Sequence, residues 1–328
     1  MTNRIAATRS VVIDRETVHR LAGVGCLVEP LRQAFASDAH SPPRAHYDLE
    51  AQDQPRTLLL MPAWQPQGAI GVKIVTVFPR NAAQGLPSVN AAYVLLSGQT
   101  GEPCAWIDGP ALTVFRTAAV SALAADLLAP ATPRVLLVVG TGALSRYLVE
   151  GHRSVRRYES VVIWGRDPDK AAAVARDLDA RGWPVSSAKD LEAAVRSADV
   201  VSCATLAEHA LVRGDWLKAD CHLDLVGSFK PTMREADDAC MREAFIIVDT
   251  LAALEESGDL SQPLGRGVMA RSAVATLSGL IASGLPTPRP RRTVFKSVGV
   301  AHADLAAAQF LFERHQQGQF QLTVGGEK

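Results

Sequence analysis

The run Val135-Leu136-Leu137-Val138-Val139-Gly140-Thr141-Gly142-Ala143-Leu144-Ser145 decides how this chain is read. Five apolar residues form a strand that ends in Gly-x-Gly and passes straight into a helix. The first glycine permits a tight turn, and the second lets backbone approach a pyrophosphate. The helix amino terminus then offers unpaired N–H groups and a positive dipole end to the phosphates. Ser145 stands at the third motif position, where Gly or Ala is usual, and its small side chain still allows helix–strand packing. A bare Gly-x-Gly also occurs as an ordinary turn, so the weight comes from context: a strand before it, a helix after it, and more strands behind. Gly140, Thr141, Gly142, Ala143 and Leu144 are therefore the candidate phosphate loop.

Outward from this loop, residues from about 130 to 290 keep one rhythm. Strands at 134–140 and 160–164 alternate with helical stretches at 143–153 and 168–181, and further strands are expected at 199–204, 222–226 and 245–249. Such alternation predicts an α/β fold, a Rossmann-type doubly wound parallel sheet with helices on both faces. In that architecture ligands lie beyond the carboxyl ends of the strands. Cys203, Ala204 and Thr205 close one such strand, and Val226 and Ser228 follow the next; both also read as plain strand-to-loop turns. The second strand closes on Gly165-Arg166-Asp167. An acidic residue at the strand end selects the ribose hydroxyl of NAD, whereas a guanidinium suits the 2′-phosphate of NADP. Arg166, helped by Lys170, places NADPH ahead of NADH, with Asp167 read as the cap of the next helix.

Before about residue 128 the pattern differs. Apolar residues at helical spacing cover 16–36, broken by Gly23, Gly25 and Pro30. Strands follow at 57–61, 69–78 and 91–96, then a hairpin turn at 98–101 and a strand at 103–107. Strands in succession imply a mostly antiparallel sheet, hence a mixed α+β domain. An Ala-rich helix is expected over 113–128. After the proline- and arginine-rich link 286–292, residues 293–328 are too short to fold alone and are expected to return to the first domain. The reading is two domains: 1–128 with 293–328 for substrate binding and dimerisation, and 129–292 for the dinucleotide.

Composition narrows the function. The chain has 328 residues, 48% apolar and 21% charged, with 34 basic and 34 acidic side chains. That is ample for a two-domain core and too balanced for a disordered chain or a polyanion binder, so nucleic acid is not the expected partner. No run reaches the roughly 18 apolar residues of a membrane span. Residues 1–15 lack the apolar stretch of a signal peptide. Five cysteines, odd in number and without a Cys-x-x-Cys pair, fit neither a disulfide framework nor a zinc cage, and a cytoplasmic location is expected. No metal-ligand cluster is visible.

Three basic residues stand in apolar or turn settings: Arg44 after Pro42-Pro43, Lys73 between Val72 and Ile74, and Arg116 before Thr117-Ala118-Ala119. On an alternating strand Lys73 faces away from its neighbours, which leaves both solvent and an interior site open. Here the sequence resembles the ornithine cyclodeaminase/mu-crystallin family over nearly its whole length. The resemblance is carried by GVKIVTVF at 71–78, Leu86–Ser88, DGPALTVFRTAAVSAL at 108–123, the loop at 140–143 and LDLVGSFKPTMREA at 223–236. Within the family, Pro42-Pro43-Arg44, LLLMPAWQ at 58–65, residues 226–238 and FKSVG at 295–299 are most similar to bacterial ketimine reductases.

The resemblance implies that Arg44, Lys73 and Arg116 bind a carboxylate, with Arg116 and Thr117 also near the cofactor. A planar guanidinium fork suits a carboxylate, and lysine adds a point charge. It further implies NAD(P)H-dependent reduction of Δ1-pyrroline-2-carboxylate or Δ1-piperideine-2-carboxylate to L-proline or L-pipecolate, by a homodimer. Lys73 is the candidate for handling the imine proton, with His46 and Asp224 as alternatives. Ornithine cyclodeaminases carry an aspartate two residues after the Val-Gly of the loop at 226–229; Phe229 stands there in this chain, which disfavours cyclodeamination. The alternatives are an alanine-dehydrogenase-like or residual cyclodeaminase activity, and a binding protein of mu-crystallin type that holds NADPH and a small acid without turnover.

Overall fold

The computed structural model describes residues 10–49, 56–66 and 68–324. The first nine residues of the amino-terminal reading and the last four of the polar tail lie outside them. In chain order the first elements are β1 (Val11–Ile13), α1 (Arg15–Leu21), α2 (Val28–Ala36), β2 (Ala45–Asp48), β3 (Thr57–Trp64) and β4 (Ile70–Val77). Next come β5 (Val89–Leu96), β6 (Pro103–Asp108), α3 (Gly109–Leu128), β7 (Val135–Val139), α4 (Ala143–Val155) and β8 (Ser160–Trp164). There follow α5 (Pro168–Asp179), β9 (Val185–Ala188), α6 (Leu191–Ser197), β10 (Val200–Cys203) and β11 (His222–Leu225). The remainder is β12 (Phe245–Val248), α7 (Ala253–Glu256), α8 (Gly258–Gly265), β13 (Val274–Thr276), α9 (Leu277–Ser283), β14 (Thr293–Lys296) and α10 (Ala301–Val324).

The chain forms two compact units, Met1–Arg116 with Val300–Lys328, and Thr117–Gly299. The first is built on a six-stranded sheet in the order β1-β6-β5-β4-β3-β2, antiparallel except for β1 beside β6. Period-2 alternation separates its faces: Gly71, Lys73 and Val75 of β4 are buried, while Val72, Ile74 and Thr76 are only half-buried. Helix α10 covers the buried face along β3, β4 and β5 and packs on α2. The short strands β1 and β2 carry too few residues to show a period, and neither is marked in the sequence. Gly23 and Gly25 fall between α1 and α2, at a 3-10 turn over Val24–Leu27, whereas Pro30 stands in the first turn of α2, where its missing N–H costs no helical bond.

The second unit holds an eight-stranded, wholly parallel sheet in the order β13-β12-β14-β11-β10-β7-β8-β9. Its central strands β7, β10 and β11 are buried on both faces, which is why they read as continuous apolar runs. The chain runs from β7 out through β8 to β9, then crosses to β10 on the other side of β7. The strand order reverses there, and that reversal is where such sheets open a ligand crevice.

Both boundaries fall elsewhere than expected. Residues 293–300 were expected to return to the first unit, yet β14 takes the slot between β11 and β12 in the parallel sheet. Thr117–Leu128 likewise groups with the second unit: the carbonyl of Leu128 accepts from Thr293 Oγ1 and Arg289 Nη2. Backbone pairing of a buried strand outweighs chain proximity, so the crossings fall after Arg116 and before Val300. Helix α3 is long and apolar enough to cross a membrane, but 78% of its most apolar window is buried within the protein, as in a core helix.

Candidate active site

In the second unit the phosphate loop has the geometry that its sequence demands. Gly140 adopts φ +133°, and a Cβ there would meet the Ala204 carbonyl oxygen at 2.6 Å. The Gly140 N–H donates to Trp164 O and the Ala204 N–H to Val139 O, which ties the ends of β7, β8 and β10 together. Gly142 caps α4 without any side-chain bond, the Ser145 N–H turns back to Gly142 O, the N–H groups of Ala143 and Leu144 ahead of it stay unspent, and a Cβ on Gly142 would meet nothing within 4 Å. Ser145 is buried and donates through Oγ to Gly140 O at 2.8 Å, locking the turn from within. A cleft of about 280 Å³ opens here, lined by Gly140–Gly142, Trp164–Asp167, Lys170, Ala204, Thr205 and the apolar Leu206, Ala207 and Leu211. Open backbone donors beside a concave wall suit a dinucleotide pyrophosphate.

Arg166 is exposed at the rim, while Asp167 spends its carboxylate on the N–H groups of Asp169 and Lys170 at the start of α5. The cap reading of Asp167 therefore matches the structure. Lys170 sits 3.7 Å from the same carboxylate.

Beneath the cleft lies a charged cluster that motif reading did not single out. Glu235 Oε1 accepts from Thr205 N at 2.6 Å and Thr205 Oγ1 at 2.8 Å, while Oε2 accepts from Gly227 N at 2.7 Å. One buried carboxylate thus clamps the loops leaving β10 and β11. A Cβ on Gly227 would lie 2.0 Å from Thr205 O, so the two loops pass in direct contact. Burial pushes the Glu235 carboxyl up to about 7, against the opposing charge of Lys296 and the bonds from Thr205. Asp259 accepts from Ser228 Oγ at 2.5 Å and from Glu235 N and Ala236 N, and Lys296 Nζ is 3.4 Å away.

Several expected side chains are turned away from the cleft. Ser228 is buried and bonded to Ser257 and Asp259, and Cys203 is fully buried, so neither offers a side chain to a ligand. Val226 contributes its backbone N–H to Cys203 O, closing the turn. The expectation that Asp224 serves as a proton-handling alternative is corrected. It is fully buried in β11, where Ser121 Oγ donates to Oδ1 at 3.1 Å, Ser202 Oγ donates to Oδ2 at 2.6 Å, and His152 Nε2 stands 3.3 Å away. Burial would raise its pKa, but the bonds from His152 and Ser202 outweigh this and hold the carboxyl below its ordinary value. It is an internal cross-link between α3, α4, β10 and β11.

In the first unit the three cations have different settings. Lys73 lies on the buried face of β4, in register with Met61 and Tyr93. Its Nζ donates to Asp304 Oδ2 at 2.7 Å, and Arg116 Nε donates to Asp304 Oδ1 at 2.9 Å. All three residues are buried. Half-buried Arg44 precedes β2, and its charge reaches Lys73. Burial, the largest influence, pushes the Lys73 pKa down to about 8; Asp304 opposes this, and Arg116 and Arg44 add to it. For Asp304 burial acts upward, but the charges of Arg116 and Lys73 outweigh it and keep the carboxyl low. The interior option for Lys73 is the one realised. His46 pairs with Leu59 on exposed edge strand β2, on the same sheet face as Val75 and Lys73. Thr117 is buried one residue past Arg116. Phe229 is 45% exposed, leaving no carboxylate at that position.

Comparison with known proteins finds relatives over nearly the whole chain. The model of the ornithine cyclodeaminase/mu-crystallin family matches residues 8–319. The chain is 35% identical to a Delta(1)-pyrroline-2-carboxylate reductase of Colwellia psychrerythraea over 316 residues, covering 92% of this chain and 98% of that protein. It is 37% identical to one of Paracoccus denitrificans over 290 residues, covering 87% and 90%. Among solved structures, Thermococcus litoralis Delta(1)-pyrroline-2-carboxylate reductase in complex with NADH and L-proline superposes with a TM-score of 0.87 at 27% identity, covering 94% and 98%. An archaeal alanine dehydrogenase dimer with bound NAD gives 0.86 at 27% identity, covering 94% and 97%.

Proposed function

The chain belongs to the ornithine cyclodeaminase/mu-crystallin family, and on that premise we propose that it reduces cyclic ketimine carboxylates, Δ1-pyrroline-2-carboxylate to L-proline and Δ1-piperideine-2-carboxylate to L-pipecolate. One observation carries the reading. Lys73 and Arg116 share a single buried carboxylate, Asp304, with the charge of Arg44 acting on the same lysine. A buried excess of positive charge calls for an anion, and a substrate carboxylate supplies it. Asp304 takes only the Nε edge of Arg116; among the described residues its two terminal amino groups have no protein partner, so the fork remains available.

When bound, the reduced nicotinamide supplies the hydride that adds to C2 of the imine. Arg44 and Arg116 hold the carboxylate and so fix which face of the ring is presented. Lys73 gives a proton to the imine nitrogen, so that C=N becomes CH–NH with one hydride and one proton consumed. The loop Gly140–Gly142 and the uncapped start of α4 hold the pyrophosphate. Arg166 at the cleft rim, with Asp167 engaged in its cap, favours NADPH over NADH. Phe229 removes the carboxylate that cyclodeamination uses.

The test mixes purified protein, NADPH and each cyclic imine and follows reduced-nicotinamide absorbance at neutral pH. Consumption with either imine supports the reading. Flat traces with both imines and both nucleotides would overturn it and favour a binding role of mu-crystallin type.

The active form we propose is a homodimer. One cross-strand row of the sheet face opposite α10 is apolar, Val12, Trp106, Val94, Val72 and Pro62, and Val12 and Trp106 are exposed on it. A second copy of the same face is its occupant. Light scattering reads this directly, and a monomer at micromolar concentration would refute it. Five unpaired cysteines suit a reducing cytoplasm as the place of this reaction.

A further inference from the structure

No motif or periodicity in the sequence marks Asp304, and we propose that it is the positioning residue of the reduction: it orients Lys73 and Arg116 and keeps Lys73 protonated as the proton donor. This inference rests on the reading above that Lys73 protonates the imine nitrogen.

The geometry is specific. Asp304 sits in the first turn of α10, fully buried, and divides its two oxygens between two cations on different elements, Lys73 of β4 and Arg116 of α3. That division holds the ammonium and the guanidinium at a set separation. It also leaves their working donors unspent. Lys73 uses one of its three protons on Asp304, and Arg116 uses its Nε edge rather than its fork. A carboxylate that took the fork itself would compete with the substrate.

The electrostatic role follows from what else faces Lys73. Asp304 approaches from α10, Arg116 from α3, Arg44 from the segment before β2, and Tyr93 is its register partner on β5. The Tyr93 hydroxyl is buried, and burial together with the charge of Asp304 raises its pKa, so it stays neutral. Of these groups Asp304 alone favours the charged lysine; burial and both arginines disfavour it. Without Asp304, a smaller share of Lys73 would meet the imine protonated at neutral and alkaline pH.

The experiment compares the full-length wild type with Asp304→Asn and Asp304→Glu. Reductase activity is followed from pH 6 to pH 10. The lysine 13Cε resonances are titrated in parallel, with Lys73→Arg assigning the signal of Lys73. The wild type is expected to lose turnover above about pH 8, where Lys73 deprotonates. Asp304→Asn keeps the shape and loses the charge, so its alkaline limb and the Lys73 midpoint both move down by about one pH unit or more. At pH 8 this is a loss of about fivefold or more in turnover, largely recovered at pH 6. Asp304→Glu restores the charge and is expected to return the limb to its wild-type position at lower kcat.

A carboxylate that merely braces α10 would lower Tm and yield without moving the limb. That result, with an unmoved Lys73 midpoint, overturns the proposal. So does a wild-type Lys73 midpoint at the ordinary lysine value, which decides the matter even if Asp304→Asn does not fold. If the midpoint shifts while both imines stay inert, the control of Lys73 by Asp304 stands and the reductase reading falls.

Discussion

Replacing Glu235 by Gln tests whether a buried carboxylate holds the cofactor cleft in shape. Glutamine has the same size but one acceptor oxygen. That oxygen can keep the bonds from Thr205 N and Oγ1, and the new amide group then points at the Gly227 N–H, donor against donor. A buried backbone N–H left without an acceptor costs about 1–3 kcal/mol. Loss of the attraction to Lys296 and relief of the repulsion from Asp259 oppose one another, so the net destabilisation is about 2 kcal/mol. For a unit of this size that lowers Tm by about 4–8 °C. Thr205 lines the cleft, so about 1 kcal/mol of re-ordering on binding weakens the dinucleotide roughly fivefold. Calorimetry reads the first quantity and a fluorescence titration with NADPH the second. Thr205→Val, which removes only the hydroxyl bond, should show about half the loss in stability. An Glu235→Gln protein with wild-type Tm and wild-type Kd would show that the clamp holds nothing.

Three further outcomes are expected. Arg44→Ala lowers kcat/KM for the imine by about 10–100-fold, mostly through KM, because a charge-assisted contact to the substrate carboxylate is lost; an unchanged KM would remove Arg44 from the site. Arg166→Ala raises the KM for NADPH by about tenfold and leaves that for NADH nearly untouched; equal effects on both would refute the 2′-phosphate role. Burial pushes His222 down to about 3, so it folds neutral, whereas the unfolded chain protonates it below about pH 6.5. Stability is therefore complete above pH 6.5 and falls with acidity, by about 2 kcal/mol at pH 5. Urea melts at pH 7.5 and pH 5 should show the loss in the wild type and a flatter limb in His222→Asn, in which an amide stands beside the Thr293 hydroxyl that His222 now bonds.

The parts of the fold that were legible are those written in short range. Strand, Gly-x-Gly and helix follow one another between Val135 and Val155, and the φ of Gly140 is a property of one residue and its near neighbours. Period-2 alternation in β4 established that Lys73 opposes Val72 and Ile74, but not which face met the interior; α10 settled that by covering one side. Asp224 shows the reverse error. A polar residue at a strand end resembles a site residue in sequence, and only the arrival of Ser121, Ser202 and His152 around it makes it a cross-link.

What the order of residues decided, then, is the phosphate loop, the alternation that builds a parallel sheet, and the identity of the cations. Which strand fills the gap between β11 and β12, and which carboxylate holds the cations, were decided by folding alone. Asp304 lies 231 residues from Lys73 and 188 from Arg116. No local pattern spans such distances, because hydrophobic periodicity specifies which face is buried and not what is buried against it. Charges become partners only when burial removes water from between them.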